Sequence, residues 1–314
     1  ILALHPQILV FDEPTTGLDY RGAHRILDLA RQLHSQGKTI VFFILDGLGG
    51  LPHPDTGLTE LETARTPVLD ALAARSSLGA MIPVSPGIAP GSGPGHLSLF
   101  GYDPLRYLIG RGALSALGVG FDLKAGDLAA RLNLATLDGE GRIKDRRAGR
   151  PADEEGRRVV DKARAGLVAP EGIEVFLEHE KEHRAVLILR GPGLEAELAD
   201  TDPQATGVPP LPVRALAAGS ERSAALVQGI LDQMHAILRD EPRVNGVLAR
   251  GFAAYEGYPG FQERYGLRAL AVAQYPMYRG VARLVGMDVK EVPATPAELL
   301  DVLDGHCQKV GRDF

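Results

Sequence analysis

Along this chain the spacing of apolar and polar positions changes character, and the changes divide it. Ile8–Phe11 is a short apolar run ended by Asp12-Glu13-Pro14, which predicts a buried strand. Over Gly22–Gln36 the residues Ile26, Leu29, Ala30 and Leu33 fall at i, i+3, i+4 and i+7, an amphipathic helix closed by Gly37. Thr39–Leu45 is a continuous β-rich run that stops at Asp46-Gly47. Thr66-Pro67 supplies an N-cap and a first-turn proline for a helix whose expected buried stripe is Val68, Leu69, Leu72 and Ala73. Strand, helix, strand, helix implies a parallel sheet with helices on its faces.

From about Phe121 to Pro210 the texture shifts. Asn133–Leu137, the turn Asp138-Gly139-Glu140-Gly141 and Arg142–Lys144 predict a hairpin, and Glu174–His179 and Arg184–Leu189 predict further strands. This stretch is expected to be a smaller α+β unit inserted into the α/β core, with Pro209, Pro210 and Pro212 marking the exit. The alternation then resumes: a helix with Leu226, Ile230, Met234 and Ile237 on one face, strands at Gly246–Ala249 and Leu267–Ala273, and a helix carrying Met277, Val281, Leu284 and Val285. Thr295-Pro296 opens a last predicted helix with Leu299, Leu300, Leu303 and Cys307.

Composition narrows the class. Apolar residues make up 45% of the 314 positions and charged residues 24%, which fits a globular chain rather than a disordered one. A net charge of -6 argues against a dedicated nucleic-acid or polybasic membrane-surface protein, while leaving room for a locally basic pocket. The single cysteine excludes an intramolecular disulfide, so the reducing cytoplasm is the expected compartment. No apolar run is long enough to insert in a membrane. The start at Ile1 and the stop at Phe314 both fall in sequence that reads as structured, and a fragment at both ends is expected.

Three strings carry chemistry. In Ile8-Leu9-Val10-Phe11-Asp12-Glu13-Pro14-Thr15-Thr16-Gly17-Leu18-Asp19 an apolar strand delivers two carboxylates to a sheet edge, where one can hold magnesium and the other polarise a water. The string resembles the Walker B motif and D-loop of ABC-transporter ATPases over about residues 1–40. That resemblance implies Asp12 as magnesium ligand, Glu13 as general base and Asp19 as the D-loop aspartate. No G-x-x-x-x-G-K-[ST] phosphate loop accompanies it. An ABC ATP-binding subunit is therefore the weaker alternative, and a short grafted ATPase piece the expectation.

At Phe43-Ile44-Leu45-Asp46-Gly47 a strand ends in an aspartate whose carboxylate would leave the sheet's carboxyl edge, with glycines giving room for a metal. In Pro90-Gly91-Ser92-Gly93-Pro94-Gly95-His96 a serine stands between glycines at a helix start, where backbone N–H groups suit an anion. With Asp145-Arg146-Arg147-Ala148-Gly149-Arg150, Asp200-Thr201-Asp202-Pro203 and Tyr275-Pro276-Met277-Tyr278-Arg279, these strings resemble the cofactor-independent phosphoglycerate mutases of the archaeal type, in the alkaline-phosphatase superfamily.

The resemblance implies an incomplete alkaline-phosphatase-like α/β core with a mostly parallel sheet, in two parts at about 41–120 and 211–314. A lid-like α+β insertion at 121–210 interrupts it. It implies an isomerase of glycolysis and gluconeogenesis that interconverts 3- and 2-phosphoglycerate through a phosphoserine. Ser92 would be the nucleophile, and Asp46 and Ser92 two ligands of a pair of divalent ions (manganese, magnesium or zinc), with no 2,3-bisphosphoglycerate required. A small phosphorylated substrate would be bound among Arg250, Arg279, Arg146, Arg150, Asp202 and His96, guanidinium groups matching both its phosphate and its carboxylate. His96 is equally open to a plain hydrogen-bonding place at the helix start. The family's remaining metal ligands would follow Phe314, so the literal chain is expected to be inert.

Overall fold

Short parallel strands need a crossover between them, and the first sixteen-residue helix supplies it. The computed structural model describes residues 9–12, 20–38, 40–45, 50–76, 78–79, 81–88 and 90–290. They divide into two units: the described residues up to Leu108 together with Glu263–Leu267, and Ile109–Gln262 together with those from Arg268 on.

In the first unit β1 (Leu9–Asp12) and β2 (Phe42–Leu45) pair in parallel, from Leu9 opposite Phe42 to Asp12 opposite Leu45, with α1 (Tyr20–Ser35) as the connection. The buried face of α1 is Ala23, Leu27, Ala30 and Leu33, so Ile26 and Leu29 sit at its margin rather than at its centre. Next come α2 (Glu60–Thr63), opened by a reciprocal Thr59–Glu62 capping box, and α3 (Pro67–Ala73). Helix α3 departs from expectation. The Thr66 hydroxyl bonds the Asp70 carboxylate at 2.9 Å instead of capping a backbone N–H, Val68 is 79% exposed, and no residue of the helix is buried. Helix α4 (Ser92–Leu99) ends the series, with Gly93, Gly95, His96, Leu97 and Ser98 buried.

The second unit runs α5 (Arg111–Gly118), β3 (Leu128–Leu137), β4 (Ile143–Asp145), α6 (Asp153–Gly166), β5 (Glu174–Lys181), β6 (Arg184–Arg190), α7 (Glu221–Leu238) and β7 (Gly246–Ala254). It continues with α8 (Phe261–Tyr265), whose last residues belong to the first unit, then β8 (Leu270–Val272), α9 (Pro276–Leu284) and β9 (Asp288–Lys290). Strands β4-β3-β6-β5, with β7 beside β3, make one five-stranded sheet whose pairings are all antiparallel.

Two expectations change here. The sheet does not stop at Pro210: β7, expected in the parallel core, pairs with β3 along its length, so this unit extends from Ile109 past β7. Among the described residues, parallel pairing occurs only in two-stranded sets, β1 with β2 and β8 with β9 across α9. The expected helix at 295–307 lies outside the described residues.

Alternation along β3 organises the unit. Leu128, Ala130, Leu132 and Leu134 point to one face, where Val159, Val160 and Ala163 of α6 and Val227, Ile230, Leu231 and Met234 of α7 complete the main apolar core. At about 25 cal/mol per Å² of apolar surface removed from water, this layer is the unit's chief source of stability. Ala129, Arg131, Asn133 and Ala135 point the other way, toward the face on which α5 lies. Helix α5 comes very close: a Cβ on Gly112 would collide with the backbone of Ala129, and one on Gly280 of α9 with the Leu114 carbonyl of α5. Glycine is what lets three layers of backbone approach to that degree.

Candidate functional site

Charge enters the sheet on the α5 side. Arg131 of β3 stands opposite Arg250 of β7, and Arg184 of β6 lies opposite Asn133, two residues along on the same face. Arg131 is half-buried, and its pKa is pushed down to about 10, first by burial and then by Arg111, Arg184 and Arg250, with Glu180 the opposing carboxylate. The Nε groups of Arg131 and Arg250 are buried without a hydrogen-bond partner. Like charges gathered out of water, with donors left over, are a costly arrangement that an anion between them would relieve.

A buried carboxylate organises the edge of this cluster. The Asp202 side chain is fully inaccessible and accepts from Arg146 Nε at 2.8 Å and Nη2 at 2.7 Å, a bidentate pair, while Arg250 Nη1 lies 3.2 Å from it. Burial works to raise the Asp202 pKa, but the bonds from Arg146 and the Gln204 N–H, with the field of Arg250, outweigh it and hold the pKa down. Thr201 ties the loop to β7, its hydroxyl accepting from Ala249 N at 2.8 Å. Gly251 N donates to Asp200 at 2.7 Å.

Arg146, Asp202 and Arg250 are thus brought together. Arg150 is exposed and instead lies 3.8 Å from Glu182. Arg279 is half-buried on α9. His183, at the β5–β6 turn, is buried with its Nδ1 making no hydrogen bond and 3.7 Å from the Glu182 carboxylate, and its pKa falls to about 4, first through burial and then through Arg184, Arg147, Arg150 and Arg131. His179 Nε2 donates to the Glu182 carbonyl at 3.0 Å, a turn-closing bond.

Arg111, Arg131 and Arg184 were not singled out from the sequence. The signal was present for one of them: Arg131 interrupts an otherwise apolar, alternating strand, as Arg250 interrupts Val247-Leu248-Ala249.

In the first unit, Ser92 is the opening residue of α4, with Gly91 in extended N-cap conformation before it. The first N–H groups of a helix have no intrahelical acceptor, so those of Ser92 and Gly93 face outward at the positive end of the helix dipole. His96 Nδ1 donates back to the Ser92 carbonyl at 2.7 Å, and the ring is buried. Asp46 follows the last residue of β2 but lies outside the described residues, as do Glu13, Asp19 and the side chain of Asp12. Among the described residues no three His, Cys, Asp or Glu side chains converge on a point a cation could occupy. They do not by themselves make a metal site.

The first unit thus offers a serine at a helix start, and the second a partly buried arginine cluster suited to an anion. A model of the 2,3-bisphosphoglycerate-independent phosphoglycerate mutases matches residues 73–245. A probable mutase of that kind from Thermus thermophilus is 55% identical over 275 residues, 88% of this chain and 67% of the relative. One from Deinococcus radiodurans is 50% identical over 293 residues, 92% of this chain and 70% of the relative. The solved cofactor-independent phosphoglycerate mutase of Thermoplasma acidophilum superposes with a TM-score of 0.58 at 33% identity, over 84% of this chain and 72% of that one. The chain belongs to the family of 2,3-bisphosphoglycerate-independent phosphoglycerate mutases. Among the described residues, no helix is long and apolar enough to cross a membrane.

Proposed function

We propose that this chain interconverts 3- and 2-phosphoglycerate through a phosphoserine at Ser92. The observation that carries the reading of the second unit is the pair of buried Nε groups on Arg131 and Arg250 that make no hydrogen bond, the latter 3.7 Å from the Asp200 carboxylate, inside a cluster that includes Arg111 and Arg184. A phosphoglycerate offers two separated anionic groups, and planar guanidinium forks match both. Arg146 and Asp202 hold Arg250 in place, and Arg150 and Arg279 are further candidates for contact with the substrate.

In the transfer, Ser92 Oγ forms a bond to phosphorus as the bond to the substrate's hydroxyl oxygen breaks. The serine proton passes to that departing oxygen. The glycerate then presents its other hydroxyl, which takes the phosphoryl group back and returns a proton to Ser92. The outward N–H groups at the start of α4 favour the negative charge on the phosphoserine. Divalent-metal dependence goes with the family, and Asp46 and Ser92 are the ligands we assign from this chain, the choice among manganese, magnesium and zinc being open to titration.

The test is turnover of 3-phosphoglycerate in manganese, without 2,3-bisphosphoglycerate, by the full-length protein and by its Ser92→Ala variant. Turnover abolished in the variant is the expected result. Normal turnover by Ser92→Ala would sink the assignment of the nucleophile.

A further inference from the structure

Helix α4 carries Ser92 at one end and is fastened at the other by residues far away in sequence. Its C-terminus forms a complete Schellman closure: Gly101 N donates to Ser98 O at 2.9 Å and Tyr102 N to Leu97 O at 2.8 Å. Gly101 takes φ +72°, and a Cβ there would collide with the Tyr265 hydroxyl, so glycine is required twice over. That closure leaves the carbonyls of Phe100 and Gly101 pointing outward, and two side chains of the Glu263–Leu267 segment take them up. The Tyr265 hydroxyl donates to Phe100 O at 3.0 Å, and Arg264 Nη2 donates to Gly101 O at 3.0 Å.

Arg264 is itself held by aromatic rings. Its guanidinium carbon lies 4.8 Å from the Tyr102 ring centre, 5.7 Å from Tyr107 and 5.6 Å from Tyr265, and its Nη1 donates to the Tyr107 hydroxyl at 3.3 Å. The Tyr102 and Tyr265 side chains are almost wholly buried. A cation fixed at the negative end of an eight-residue helix is electrostatically favoured, and it also sets where the helix starts.

We propose that Arg264 and Tyr265 are positioning residues for Ser92: by gripping the carbonyls of Phe100 and Gly101, which close the C-terminus of α4, they fix the axial place and tilt of the helix, and hence of the hydroxyl at its other end. The helix spans only about 12 Å, so a slip or tilt at one end reaches the other nearly undiminished. In-line transfer tolerates little of this, a displacement of about 1 Å costing on the order of 100-fold in rate. Neither residue touches the reacting atoms in this scheme. The inference rests on Ser92 being the nucleophile.

Arg264→Lys, which keeps the charge but loses the planar fork, and Tyr265→Phe, which loses only the hydroxyl, are compared with the unaltered full-length protein in manganese. Steady-state kinetics are read together with thermal melting and amide exchange over residues 92–99. We expect kcat to fall about 10- to 100-fold in Arg264→Lys and less in Tyr265→Phe, KM to stay within about twofold, and α4 amides to exchange faster while the melting temperature holds. An unchanged kcat per folded molecule in both variants would overturn the proposal, as would a fall in kcat matched by the loss of folded protein. If Ser92→Ala also turns over normally, the nucleophile assignment has failed; if Ser92→Ala is dead and the two variants are unimpaired, only the positioning role has.

Discussion

The two faces of the five-stranded sheet are made by the same strands, one residue out of phase, and they differ in almost everything else. One is sealed by α6 and α7 over Leu132, Leu134, Leu187 and their neighbours, all inaccessible to water. The other carries Arg131, Arg184 and Arg250, with the Nε groups of Arg131 and Arg250 buried and making no hydrogen bond. Along β3 the odd positions place Arg131 and Asn133 on the α5 face, while the even positions place Leu128, Ala130, Leu132 and Leu134 in the main core. Polar groups that the fold does not satisfy mark the side where something else is meant to bind.

The comparison can be broken most forcefully from the sealed side. Leu132→Ala should lower unfolding free energy by about 2–5 kcal/mol in a urea titration while leaving KM unchanged. A shift in KM without loss of stability would show that the faces are not separable. The next largest effect is expected opposite: Arg131→Leu should raise KM for 3-phosphoglycerate about 10- to 100-fold, the loss of one or two charge-assisted hydrogen bonds of about 1.5–3 kcal/mol. Stability should hold or rise, because the variant removes a desolvated charge from among three others.

The smallest effect is a pH slope. His183 has a folded pKa of about 4 against an ordinary 6.5, so between those values the unfolded chain binds more protons. Its contribution to stability is complete above pH 6.5 and is lost as pH falls toward 4. His183→Gln should flatten the stability profile in that window, and an unaltered slope would show that burial and the neighbouring arginines do not hold the His183 pKa down.

How much of this could be read from the chain depended on whether the signal was local. The β3–β4 hairpin was legible because Asp138 and Gly141 specify its turn: Asp138 accepts from the N–H groups of Glu140 and Arg142, each at 2.9 Å, and Gly141 takes φ +78°. Ser92 was legible as a helix start for the same kind of reason. Strand β7 was recognised as a strand but given the wrong neighbours, because Val247-Leu248-Ala249, buried on both faces, reads the same in a parallel core or in the middle of an antiparallel sheet. Helix α3 showed the right periodicity, yet no residue along it is buried. Arg131 could have been noticed as a charge in an apolar strand. That it meets Arg111, Arg184 and Arg250 follows from strand register and from the placement of α5, neither of which is written at any one position.

The glycines at 112 and 280 carry a last consequence. Between the sheet, α5 and α9 there are no side chains at these crossings to rotate out of the way, so main chain rests on main chain through both interfaces. A side chain added at either crossing would therefore have to force main chain away from main chain, moving α5 off β3 at position 112 or α9 off α5 at position 280.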